Sequence, residues 1–251
     1  MTAPALTVRG LGKRYGGRTV LEGADLDVDA GELVALLGPS GSGKTTLFSC
    51  LTRLVEPDAG RVVVAGRAIT GTRGRALAAA RRDIGTVFQQ YNVATRLTAL
   101  DNVLAGRLTH HPTWRAVLRC FPTADRALAV SHLEEVGLGS QAGQPAGTLS
   151  GGQQQRVAIA RALTQQPRLL LADEPVASLD PATAEGILSA LYRIATTDGV
   201  AVLCSLHQEH LAHRYATRVL RLEDGRVTAT GQPPRQEERS AAAARWHGQP
   251  G

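Results

Sequence analysis

Residues 38–45 read GPSGSGKT, and no other segment restricts the fold of this 251-residue chain as tightly. The octapeptide follows the apolar run Val34-Ala35-Leu36-Leu37 and opens a helix-forming stretch from Thr45 to Leu54. Strand, glycine loop and helix, with the spacing G-x-x-x-x-G-K-[ST], is the arrangement that cradles phosphates. Gly38, Gly41 and Gly43 let the backbone curl around Pro39, Ser40 and Ser42 so that successive N–H groups point inward. The helix N-terminus adds its partial positive charge to the same concavity. Lys44 supplies a mobile cation for β- and γ-phosphates, and Thr45, followed by Thr46, offers a hydroxyl to Mg²⁺. ATP or GTP with Mg²⁺ is therefore the expected ligand.

A second apolar run, Leu169 to Ala172, ends in two carboxylates, Asp173 and Glu174. By itself this is equally a strand running into an exposed turn. Beside a phosphate loop the two acids acquire different roles: Asp173 at the strand end orients the magnesium shell, and Glu174, one residue on, acts as general base on water.

Bulk properties narrow the class. Hydrophobic residues form 43% and charged residues 20% of the chain, ordinary globular usage. The longest apolar runs fall far short of the roughly 20 residues a bilayer-spanning helix needs. The opening MTAPALTVRG lacks the basic start, apolar stretch and cleavage site of a secretory signal, so a cytosolic chain is expected. Cys50, Cys120 and Cys204 are widely separated, which suits packed thiols better than disulfides or zinc. The net charge of +6 comes from scattered arginines, with no basic run longer than Arg81-Arg82, and nucleic acid is not an expected partner.

The order of elements predicts an α/β fold. Short β segments occupy the first part, around VRGLGKRYGG, TVLEGADLDV and ELVALLG. From Leu97 to Gly137 the pattern is helical and poor in β-branched clusters, an inserted lobe. From Gln165 strand and helix alternate again. The expected division is one domain over 1–231, with a helical subdomain at about 90–160 inserted in the α/β core, and a tail at 232–251 without a role. One copy of each motif implies a partner copy.

LSGGQQQR, Leu149 to Arg156, precedes the helical pattern VAIARALTQQ. Here the chain resembles the ABC ATPase superfamily, whose fold is a phosphate-loop core with an N-terminal antiparallel β subdomain and an inserted α-helical subdomain. The resemblance implies that Ser150, Gly151, Gly152 and Gln153 clasp the γ-phosphate of ATP held by the opposite subunit of a homodimer. It further implies that Tyr15 in KRYGG stacks on adenine, with a strand-edge tyrosine as the alternative. Gln89 in TVFQQ corresponds to the glutamine touching Mg²⁺ and the attacking water, with Gln90 beside it as a second register. Asp180 in ASLDP matches the aspartate that links the two active sites, and it also suits a helix N-cap. His207 matches the switch histidine at the γ-phosphate; His207, His210 and His213 rotate apart at helical steps, against a metal cluster.

The segments FQQYNVATRLTALDNVLAGRL, HPTWRAVLRCFPTADRALAVSHLEEVGL, DEPVASLDP and SLHQEHLAHRYATRVLRLEDGRV look like phosphonate importer ATP-binding subunits. That resemblance implies permease subunits docking on the helical lobe and a periplasmic or lipid-anchored solute-binding protein. It places the chain at the cytoplasmic face of the cell membrane. Phosphite or hypophosphite is a related cargo. An importer of another solute, such as polar amino acids, and a soluble ABC ATPase acting on translation or DNA remain the alternatives.

Overall fold

The computed structural model describes residues 3–88, 92–111 and 121–230. Gln89, Gln90, Cys120 and the tail at 232–251 lie outside the described residues.

β1 (Leu6–Tyr15) and β2 (Arg18–Val28) form an antiparallel hairpin turned by Gly16-Gly17. Both glycines have positive φ, 51° and 86°, the two-residue turn whose twist matches that of the strands. β4 (Ala59–Val64) and β5 (Arg67–Ala68) complete a sheet of order β2-β1-β4-β5. A second sheet, in the order β10-β9-β3-β8-β7-β6, carries the parallel strands β3 (Leu33–Leu37), β6 (Ile84–Val87), β7 (Leu169–Asp173), β8 (Ala201–Ser205) and β9 (Arg218–Glu223). Its edge strand β10 (Arg226–Ala229) runs antiparallel to β9.

The uninterrupted apolar strands are the ones covered on both faces, as parallel central strands must be. Alternation divides each between two cores. Leu33, Ala35 and Leu37 of β3, Leu170 and Ala172 of β7, and Val202 and Cys204 of β8 face a helical core. Their neighbours Val34, Leu36, Leu169, Leu171, Ala201 and Leu203 face the core shared with the antiparallel sheet. Helix α1 (Lys44–Leu51) packs in the second core, along with Ala80 of α2 (Gly74–Arg82). The first holds α3 (Ala99–Leu104), α4 (Thr123–Glu135), α5 (Gly151–Thr164), α6 (Pro181–Thr196) and α7 (Glu209–Tyr215).

Between β6 and β7 the described residues form helices and turns, with one isolated bridge between Thr98 and Pro145. Leu133 and Leu138 of this lobe belong to the same core as β3 and β8, so lobe and sheet share buried surface. A Cβ at Gly106 would lie 2.2 Å from the Arg161 carbonyl oxygen, so only glycine allows the chain to approach α5 this closely. α1 ends three residues before the expected Leu54. Thr52 Oγ1 donates to the carbonyls of Phe48 (3.1 Å) and Ser49 (3.2 Å), and Arg53 enters the left-handed region at φ 58°. Its guanidinium donates to the Ile69 and Thr72 carbonyls, contacts that tertiary packing supplies.

At the end of α4, His132 Nδ1 lies 2.9 Å from Glu135 Oε2, and Arg193 of α6 donates to the Glu135 carbonyl at 3.0 Å. The hydrogen bond from His132 holds the Glu135 carboxyl below the ordinary glutamate range. A depressed acid stabilises the fold above its unfolded pKa, and that contribution is lost as pH falls through the folded value. Because the pair is partly solvated, Glu135→Gln is expected to cost only about 0.5–1 kcal/mol at pH 7. Urea unfolding should show the difference vanish once both states are protonated at acid pH.

Candidate functional site

The carboxyl ends of β3, β7 and β8 lie side by side, with Asp173 paired to Ser205 and Leu36 paired to the same residue. In an open parallel sheet this rim is where ligands bind. A cavity of about 400 Å³ opens there, lined by Ser40, Gly41, Gly43, Lys44, Thr45 and Thr46 of the loop and α1. Glu174, His207, Arg18 and Val20 face them across it.

The loop geometry follows from its glycines. A Cβ at Gly38 would stand 2.5 Å from the Leu222 carbonyl oxygen and 2.8 Å from Ser42 Oγ, so the loop lies directly on β9. Gly43, at φ 104°, occupies the N-cap of α1 without a side-chain cap, which leaves the first-turn amides free for an anion. Lys44 is buried, with its Nζ donating to the carbonyls of Gly38 (2.8 Å) and Pro39 (3.1 Å). Burial lowers its pKa, opposed by the charges of Glu174 and Asp173. Ser42 Oγ is buried with no protein partner, a donor that suits a phosphate oxygen.

Asp173 is 8% exposed and accepts from Ser205 Oγ at 2.7 Å, and Thr45 lines the same small pocket beside it. Burial pushes its carboxyl above the ordinary aspartate range, against the hydrogen bond from Ser205. A hydroxyl beside a carboxylate is an all-oxygen pair, the chemistry Mg²⁺ prefers when phosphates and water complete its shell. No cluster of three or more His, Cys, Asp or Glu suited to a metal occurs among the described residues. Glu174 has φ 51°, its N–H donating to Ser205 Oγ at 2.8 Å, and its Oε1 lies 2.5 Å from His207 Nε2.

The remaining expected residues are placed differently. Ser150 caps α5: its Oγ accepts from Gln153 N at 3.3 Å, and Gln153 Oε1 accepts from Ser150 N at 2.9 Å. A Cβ at Gly152 would meet Thr183 Cγ2 at 2.4 Å, so the first turns of α5 and α6 touch. Neither Ser150 nor Gly151, Gly152 or Gln153 lines the phosphate-loop cavity of its own chain. Asp180 caps α6, accepting from Thr183 N at 3.0 Å. Tyr15 ends β1, half-exposed, with Lys13 Nζ 5.2 Å from its ring centroid. It does not line the cavity; Arg18, its partner across the hairpin, does. His213 pairs with Glu209 at 3.7 Å.

Arg18, Val20 and Ser205 were not anticipated from the sequence. For Ser205 the only available signal is its position at the end of an apolar strand two residues before His207. Cys50 and Cys204 are buried free thiols, as expected, and burial raises the Cys50 thiol to about 11.

A phosphate loop, a strand-end acid pair and a serine-capped helix on one α/β scaffold define a nucleotide-hydrolysing cassette. A family model described as ABC transporter matches residues 21–177, and the chain belongs to that family. It therefore binds nucleotide. It is 49% identical over 229 residues to the hypophosphite import ATP-binding protein HtxD of Stutzerimonas stutzeri, spanning 91% of this chain and 67% of that one. It is 46% identical over 228 residues to the phosphonates import ATP-binding protein PhnC 1 of Rhodopseudomonas palustris, spanning 91% and 84%. Its fold matches the dimeric structure of a post-hydrolysis state of the ATP-binding cassette MJ0796 bound to ADP and Pi. The TM-score is 0.77 at 33% identity, covering 90% of this chain and 100% of that one.

Proposed function

We propose that this chain is the ATP-hydrolysing subunit of a membrane importer for phosphonates, with phosphite and hypophosphite as related cargo. The observation that carries the catalytic part is the cavity in which Lys44 and the uncapped α1 amides face the Glu174–His207 pair. The cargo class rests on the 46–49% identity to phosphonate and hypophosphite import subunits.

Lys44, Ser42 and the loop amides hold the β- and γ-phosphates, and Thr45 with Asp173 holds Mg²⁺, joined by Gln89. Bound Mg²⁺ supplies charge neutralisation at the phosphate oxygens. Glu174 takes a proton from water as the new O–P bond forms and the bond to the β-phosphate oxygen breaks. His207 orients Glu174 and donates to the γ-phosphate. Tyr15 stacks on the adenine. The signature residues Ser150 to Gln153, which lie outside this cavity, complete the site of a second copy, and Asp180 links the two sites.

Residues 1–231 act as one ATPase domain in this reading, with the helical subdomain at about 90–160 receiving the permease and a solute-binding protein delivering cargo. No helix among the described residues is long and apolar enough to cross a membrane, which suits peripheral attachment at the cytoplasmic face.

Lys44→Ala in the native host is the test. Growth and labelled uptake are compared with phosphonate, phosphite or phosphate as sole phosphorus source. Loss on phosphonate or phosphite, with growth on phosphate intact, is expected. Undiminished uptake of all three by a mutant shown to be inactive in hydrolysis would remove the cargo assignment and leave the ATPase.

A further inference from the structure

We propose that Ser205 is a positioning residue for hydrolysis, its single hydroxyl holding both the carboxylate that faces the cation and the backbone of the residue that takes the proton. The inference rests on the reading of Glu174 as base and Asp173 as cation ligand. Ser205 is fully buried at the end of β8, in register with Asp173 on the neighbouring strand. A serine hydroxyl has one proton to give and lone pairs to receive. The proton goes to Asp173 Oδ1 at 2.7 Å, and a lone pair accepts the Glu174 N–H at 2.8 Å.

Both partners need that help. Asp173 lies beside Thr45 on one small pocket, and the Ser205 bond to Oδ1 fixes how its carboxylate plane is turned there. Glu174 stands at φ 51°, a left-handed conformation unfavourable for any residue with a side chain. It persists where surrounding contacts over-determine it, and the bond to Ser205 is one such contact. This turn carries the Glu174 carboxylate to His207, 2.5 Å from Nε2, and to the wall of the phosphate-loop cavity. With Ala at 205 the Glu174 amide would lose its side-chain partner, and Asp173 would lose the hydrogen bond from Ser205. The two acids would be freed to rotate away from the phosphates while the loop itself stayed intact. The Ser205 hydroxyl's hydrogen bonds go to Asp173 and Glu174 rather than to the loop, so its effect should separate from nucleotide affinity.

Three quantities on the full-length chain test this: binding of a fluorescent ATP analogue in EDTA, the Mg²⁺ concentration that half-saturates its enhancement of binding, and kcat for phosphate release. Ser205→Ala is expected to leave EDTA binding unchanged. It should raise the Mg²⁺ midpoint and lower kcat, each by about 10- to 100-fold, the loss typical of removing a group that orients a metal ligand. Ser205→Thr, which keeps the hydroxyl, should restore most of both. A folded Ser205→Ala with the parent midpoint and kcat overturns the inference. A loss shared equally by Ser205→Thr assigns the effect to volume and overturns it too. Should Ser205→Ala fail to fold, Ser205→Cys, close in size and a weak donor, carries the same measurements with the same reading. Glu174→Gln in parallel separates the premises: if it keeps the parent kcat, the base assignment has failed rather than the role of Ser205.

Discussion

Glu174→Gln is expected to bind ATP as the parent does and to hydrolyse it about 100- to 10,000-fold more slowly, the range a positioned general base contributes. The amide keeps the size of the side chain and a polar contact to His207, now 2.5 Å from Glu174 Oε1. On the proposed role it removes the anion that would accept the proton from water. Phosphate release and nucleotide binding, measured separately, distinguish the possibilities. Unchanged affinity with collapsed kcat fits a group acting only in the transition state. Parent kcat would mean that water is activated elsewhere and that Glu174 serves only to hold His207.

Gly38→Ala should be nearly as damaging, through the backbone. The added methyl would stand 2.5 Å from the Leu222 carbonyl oxygen and 2.8 Å from Ser42 Oγ. The carbonyl belongs to β9 within a hydrogen-bonded sheet and has little room to yield, so the loop must move. Overpacking of this kind costs about 1–3 kcal/mol. For a chain of this size that lowers Tm by roughly 2–4 °C per kcal/mol. Because the Gly38 carbonyl also receives Lys44 Nζ, the displacement carries the Lys44 ammonium with it. Misplacement by about 1 Å is worth on the order of 100-fold in rate. Calorimetry and ATPase assays should therefore both register the substitution; a parent Tm and kcat would show that the loop relaxes without cost.

Much of the fold is legible in the chain because its period is so regular. LVALL is apolar throughout, LLLAD and AVLCS are apolar up to their final residues Asp173 and Ser205, and each is a strand covered on both sides. The serine and aspartate preceding α5 and α6 make the caps their side-chain chemistry predicts. The end of α1 is not legible locally because Thr52 and Arg53 have ordinary helical propensity, and it is contacts with residues 69 and 72 that turn the chain away.

The same division runs through the site. GPSGSGKT and the Asp173-Glu174 pair are local: their spacing alone fixes which groups lie on a loop, a helix turn or a strand end, whatever surrounds them. The glycine loop before α1, the acids at the end of β7 and the serine cap at Ser150 could therefore be read from the residues. Tertiary structure alone decided that Arg18 rather than Tyr15 lines the cavity, that Ser150 to Gln153 stand apart from it, and that Ser205 joins Asp173 to Glu174. Those facts depend on hairpin register and on the pairing of β7 with β8, contacts between residues far apart in the chain. Local periodicity carries no record of such pairings; only packing brings the partners together.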